Sequence, residues 1–154
     1  MTQSNDRATI IHILRTSHTI AVVGLSGDAE KPSHDVARFL QKRGYHIIPV
    51  NPNLTTVLGE VSYPDLLTIP ESIDVVDIFR RPEAVPSIVD QAIQVGAKAV
   101  WMQSGVRHPA AAAKAHAAGL KVVMDRCMME EIRQLIKEGT LEETPPSSVT
   151  MNPL

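Results

Sequence analysis

Residues 19–44 constrain the chain most: T-I-A-V-V-G-L-S-G-D-A-E-K-P-S-H-D-V-A-R-F-L-Q-K-R-G. Ile20, Ala21, Val22 and Val23 form an unbroken apolar run, as in a strand buried on both faces. Gly24 ends it, and Gly24-Leu25-Ser26-Gly27 reads as a turn whose glycines let a ligand approach the backbone. Ser33, just after Pro32, offers an N-cap hydroxyl, and Val36, Phe39 and Leu40 follow at helical spacing until Gly44. Strand, glycine turn and helix start bring free amides and the positive end of a helix dipole to one place, which favours a phosphate. The spacing is G-x-x-G rather than G-x-G-x-x-G, so the stretch also suits an ordinary βα turn that uses glycine for geometry alone.

The rest of the chain repeats this unit. Ile10, Ile11, Ile13 and Leu14 predict a helix over 6–15 before the first strand. Residues 46–50 (H-I-I-P-V) read as a second strand, with Pro49 needing a place where the ladder can lose a donor. The turn Asn51-Pro52-Asn53 closes it. Residues 54–70 form a connector with little periodicity, in which Tyr63, Leu66, Leu67 and Ile69 suggest a packed loop or short helical turn. Strands are expected at 73–79, 97–102 and 120–124, and helices at 83–95, 109–118 and 128–136. The implied order is α followed by βα five times. That predicts an α/β, doubly wound, five-stranded parallel sheet of order 3-2-1-4-5, with helices on both faces. A crevice is then expected between the first and fourth strands, lined by residues 24–26 and 103–105. One domain is read over 1–139, and 140–154, rich in proline and serine, as a flexible tail.

Composition narrows the partners. Aromatics are 3% and the net charge is −2, which argues against nucleic acid and anionic membranes. A single cysteine fits a reducing compartment, and neither a signal peptide nor a spanning run is read, so a cytoplasmic protein is expected. Arg80 and Arg81 directly follow the third strand, where open α/β sheets bind ligands. Guanidinium suits phosphate there, whereas a cation at a helix start opposes the dipole and needs another reason. An NAD-binding unit places an acid at the end of the second strand for the ribose, and this chain has Asn51. Asp74 and Asp77 fall on opposite strand faces, so each is expected to cap or pair at a strand edge. Cys127 stands at a helix start beside Arg126, a setting that can lower a thiol pKa, or is a structural core cysteine. The histidines show no metal-ligand spacing.

Taken together, V-V-G-L-S…K-P-S, I-I-P-V-N-P, V-D-I-F-R-R, A-K-A-V-W-M-Q-S-G-V and V-V-M-D-R-C-M resemble the small stand-alone CoA-binding proteins. Their Rossmann-like domain is similar to the N-terminal domain of the succinyl-CoA synthetase α subunit. The resemblance implies that Gly24, Leu25 and Ser26 form the turn under a nucleotide diphosphate, with Lys31, Pro32 and Ser33 beside the phosphates. It places Asn51 and Pro52 at the adenosine, Phe79, Arg80 and Arg81 along the ADP portion, and Gln103, Ser104 and Gly105 on the pantetheine path. The implied cofactor is coenzyme A or an acyl-CoA, bound without catalysis, since the phosphohistidine of the synthetase belongs to a separate domain. A 3′-phosphate on the ribose explains cations near the adenosine and the missing acid. An NAD(P)-binding protein, or a thiol-dependent enzyme using Cys127, is the alternative. A protein partner that reads CoA status is left open.

Overall fold

The computed structural model describes residues 5–143 of the 154. The chain opens with α1 (Arg7–Thr16), capped by Asp6, whose carboxylate accepts from the Thr9 amide at 3.2 Å. Then come β1 (Thr19–Val23), α2 (Pro32–Lys42) and β2 (His46–Val50). A small hairpin follows, β3 (Thr56–Val57) with β4 (Glu60–Val61), and a 3₁₀ turn at Leu66–Thr68. The second half is β5 (Val75–Ile78), α3 (Val85–Gln94), β6 (Ala99–Met102), α4 (Pro109–Ala117), β7 (Lys121–Val123) and α5 (Met128–Lys137). The hairpin and turn fill the 54–70 connector, where the sequence suggested a packed loop or a short helical turn, so the second βα unit has no α-helix. Gly59, Pro64 and Pro70 interrupt any helical period there.

The five long strands are all parallel and form a doubly wound α/β sheet. Alternation along each strand divides the core in two. Ile20, Val22, Val75 and Trp101 pack with α1, α2 and α5, whereas Ala21, Val23, Val76 and Met102 pack with α3 and α4. Among the described residues, no helix is long and apolar enough to cross a membrane.

The order across the sheet is β2-β1-β5-β6-β7. Counting the five long strands alone, that is 2-1-3-4-5, so the third strand lies against the first and not outside the second. Pro49 gives a physical reason. Its carbonyl accepts from the Tyr63 amide at 3.0 Å, on the side of β2 away from β1. The amide that proline lacks would point the same way, so β2 works as an edge strand but would break a ladder as an interior one. Tyr63 covers that edge, also accepting from the Asn51 amide at 2.9 Å. Asp77 is corrected by the same fact. It lies in a central strand between Val22 and Trp101, fully buried, and not at an edge. Asp74 does cap, accepting from the His18 and Thr19 amides at 2.8 and 2.9 Å, and pairs with Lys98 at 3.4 Å.

Of the expected tail, residues from 144 onward lie outside the described residues. Residues 140–143 are tied down: Leu141 is buried, and Arg15 and Arg43 donate to the carbonyls of Thr140 and Glu142 at 2.6 and 2.8 Å.

The placement of β5 beside β1 also explains Gly24. Its φ is +89°, and a Cβ there would lie 2.4 Å from the Phe79 carbonyl oxygen and 2.9 Å from Arg80 Cδ. A Gly24→Ala variant combines a strained backbone with a collision against main chain, and is expected to lose about 2–4 kcal/mol of stability. Urea unfolding of both proteins measures this; a loss under ~0.5 kcal/mol would show that the turn relaxes freely.

Candidate functional site

The carboxyl ends of β1, β5 and β6 surround an open cleft of about 650 Å³. One wall is the turn after β1 with the start of α2. Its internal bonding differs from the expected cap. Lys31, not Ser33, is the N-cap residue, and Pro32 takes the first helical position, where its missing donor is harmless. The Ser33 hydroxyl instead accepts from the Ser26 amide at 3.0 Å, and the Ser26 hydroxyl accepts from the Asp28 amide at 3.0 Å. The Gly24 amide donates to the Val50 carbonyl at 2.9 Å. Among the described residues, the amides of Leu25, Gly27 and Ser33 have no protein acceptor. These unbonded donors lie at the positive end of α2, a setting that favours an anion.

Side chains from neighbouring elements hold this turn. The Leu25 side chain is fully buried in the core, so only its backbone serves the cleft. Asn51 donates through Nδ2 to the Leu25 carbonyl at 2.9 Å. His34 is buried on α2, and its Nδ1 donates to the Ser26 carbonyl at 2.9 Å, which fixes the tautomer.

The opposite wall is Phe79, Arg80 and Arg81, which follow β5. Arg80, Arg81 and Lys31 are exposed around the cleft, and among the described residues none has an acidic partner. The inner end is formed by Gln103, Ser104, Gly105 and Cys127. Asp125 supports it with a left-handed backbone (φ +62°), taking the Gly105 amide on Oδ1 at 2.7 Å. Beneath lies Asp77, whose Oδ1 accepts from Gln103 Nε2 at 2.5 Å while Oδ2 has no partner. Burial pushes the Asp77 carboxyl up to about 7, and the Gln103 hydrogen bond only partly offsets it.

A second hollow, of about 640 Å³, lies at the amino ends of the strands, between Leu14, Tyr45 and Leu141. Its arginines, Arg15 and Arg43, already donate to main-chain carbonyls. It offers an anion far less than the carboxyl-end cleft does.

A family model for the CoA binding domain matches residues 18–133. The chain belongs to the CoA binding domain family. It is 37% identical over 126 residues to the uncharacterized protein YneT of Bacillus subtilis, covering 82% of this chain and 93% of that protein. A solved structure, a hypothetical protein from Pyrococcus horikoshii, superposes with a TM-score of 0.82 at 40% identity, covering 88% of this chain and 98% of that one. Part of the chain is also 34% identical over 90 residues to an ADP-forming acetate–CoA ligase of Archaeoglobus fulgidus. That match takes in 56% of this chain and 13% of the ligase.

In this member of the family, the residues singled out from sequence divide cleanly. Gly24, Ser26, Lys31, Pro32 and Ser33 line one side of the cleft. Phe79, Arg80 and Arg81, with Gln103, Ser104 and Gly105, line the rest. Leu25, Asn51 and Pro52 are not in the lining; the first two brace the turn from behind, and Pro52 is exposed beyond it. The crevice opens beside β1 as expected, but β5 forms its floor where the fourth strand was foreseen. His34 and Asp125 escaped sequence reasoning, because a single histidine or aspartate carries no local mark of the carbonyl or amide it will meet. Cys127 does border the cleft, but its thiol is not activated. Burial pushes it up. The amides of Glu130 and Met129 pull it partly back without closing a cap hydrogen bond, and the Glu130 and Asp77 carboxylates push it further up.

Asp77 makes stability depend on pH. Below about pH 4 its carboxyl is protonated in folded and unfolded chains alike; between the ordinary value of 3.8 and about 7 the folded chain alone keeps the proton. Its contribution to stability is therefore full below the unfolded pKa and is lost as pH rises through about 7. An Asp77→Asn variant lacks this loss. Its Tm relative to wild type is expected to climb by several degrees from about pH 4 to pH 8. A Tm difference that stays flat over that range would rule out burial of a titrating Asp77.

Proposed function

We propose that the protein binds coenzyme A or an acyl-CoA in the cleft at the carboxyl ends of β1, β5 and β6. The observation that carries this reading is charge. Among the described residues, Lys31, Arg80 and Arg81 have no acidic partner around a turn with free amides, in a chain whose net charge is −2. Stability alone gives no reason to gather cations at that place, whereas a ligand with several phosphates does. The diphosphate is assigned to the amides of Leu25, Gly27 and Ser33, with the arginines on the phosphates. The pantetheine is assigned to the path along Gln103, Ser104 and Gly105 toward Cys127. A cleft of about 650 Å³ falls within the range typical of small-molecule sites.

Membership of the CoA binding domain family supports the ligand class, and the ligase named above carries the same kind of segment within a much longer protein. The reading is of a binding module: the raised Cys127 thiol argues against a nucleophile there. An NAD(P) site remains the competitor to be tested, and Asn51, at the position where a ribose-binding acid would stand, disfavours NAD.

Isothermal titration of the purified protein with CoA, NAD and NADP decides between them. CoA is expected to bind well and the dinucleotides weakly; NAD binding well without CoA binding at millimolar ligand would overturn the reading. Arg80→Ala is expected to weaken CoA binding by about 1–3 kcal/mol, as for a lost hydrogen bond to a charged group. Unchanged affinity in that variant would take Arg80 out of the site.

A further inference from the structure

The inner end of the cleft carries a polarity that the phosphate end does not explain. Gln103 is 2% exposed and lines the cleft. Its Nε2 is committed to Asp77 Oδ1, and above about pH 7, where that carboxyl is ionised and can only accept, the amide cannot turn over without losing that short bond. The Gln103 Oε1 then faces away from Asp77. No protein donor meets it among the described residues, and unlike Asp77 Oδ2 it is not fully buried. Oε1 is therefore open to the cleft that Gln103 lines. Cys127 borders the same end, and its own thiol is kept protonated there.

We propose that Asp77, by fixing the Gln103 amide with its carbonyl toward the cleft, makes this end of the site an acceptor for a neutral thiol, so that the protein selects free CoA over its acyl thioesters. This rests on the CoA reading, with the pantetheine thiol lying at the Cys127 end. A free thiol brings an S–H donor to Oε1. A thioester brings a carbonyl oxygen and no donor, and sets acceptor against acceptor. The Asp77 and Glu130 carboxylates, which push the neighbouring Cys127 thiol up, also disfavour a thiolate at this end. Asp77 touches no ligand in this arrangement. It is a positioning residue whose effect passes through Gln103.

Titrating wild type, Asp77→Asn and Gln103→Met with CoA, acetyl-CoA and 3′-phospho-ADP at pH 8 tests this. Wild type is expected to favour CoA over acetyl-CoA by roughly fivefold or more, the scale of one neutral hydrogen bond. In Asp77→Asn the Gln103 amide is free to present either end. The preference should fall to about twofold or less, with affinity for 3′-phospho-ADP unchanged. Should that variant fail to fold, Gln103→Met, which removes the acceptor itself, is expected to show the same loss of preference. Equal wild-type affinities for CoA and acetyl-CoA, or an undiminished preference in a folded variant, would overturn the proposal while leaving CoA binding intact. No binding of CoA or of 3′-phospho-ADP would overturn the CoA reading, and the selection with it.

Discussion

The Phe79 carbonyl oxygen fills the space that any side chain at position 24 would need. Most of the site follows from that contact. It exists because β5 pairs with β1, register for register, and runs on past it: the Phe79 amide donates to the Val23 carbonyl at 2.9 Å. The chain leaving β1 must turn immediately, with a positive φ, beneath the chain leaving β5. Gly24 is thus required by packing rather than by a ligand. The same contact lays the Arg80 side chain over the turn and sets Arg81 at the rim, so one geometric demand produces both the amide turn and its cations.

Three cations without an acidic partner among the described residues share the cleft. Several cations elsewhere are paired: Arg7 with Glu138, Arg38 with Asp35, Lys114 with Asp90, at 2.6 to 2.7 Å. Such exposed pairs add little stability each, but they neutralise charge locally. Around the cleft that neutralisation is missing, and the cations adjoin the amino end of α2, whose dipole adds to the same field. Two positive sources of independent origin converge on the amides of Leu25, Gly27 and Ser33. The hydroxyl of Ser33 and the imidazole of His34 hold Ser26, so the turn is fixed in place by its own side chains.

What the sequence displayed was local. The strand, turn and helix of residues 19–44 were legible because apolar runs, glycines and helical spacing each act within a few residues. Arg80 and Arg81 were legible because a cation at a helix start contradicts the dipole. The strand order was less so, since pairing partners are set across the whole chain. Yet Pro49 carried the information. A proline inside the second strand demands a free edge, and an order that puts a third strand outside it denies one. Following that demand through would have moved the third strand beside the first and made Asp77 central, not peripheral. The Ser33 hydroxyl was misassigned for a different reason. Pro32 and Ser33 compete for the helix start, and proline's fixed φ took the first helical position, freeing the hydroxyl for the turn.

Asp77 is the feature that stability cannot justify. A carboxylate in a central strand, with one oxygen bonded and the other without a partner, is harder to keep than any apolar residue of similar size. Val75, on the same face of the same strand, shows what the core ordinarily places there. The neighbouring strand answers Asp77 with Gln103 and with nothing positively charged, so the pair holds a direction rather than neutralising a charge. A buried amide clamped by a carboxylate has a fixed donor face and a fixed acceptor face, and here the acceptor face is the one the cleft receives. Under the proposed reading, the cations answer a ligand's phosphates at one end, and the Gln103 amide, clamped by Asp77 once it ionises above about pH 7, sets which neutral chemistry fits at the other.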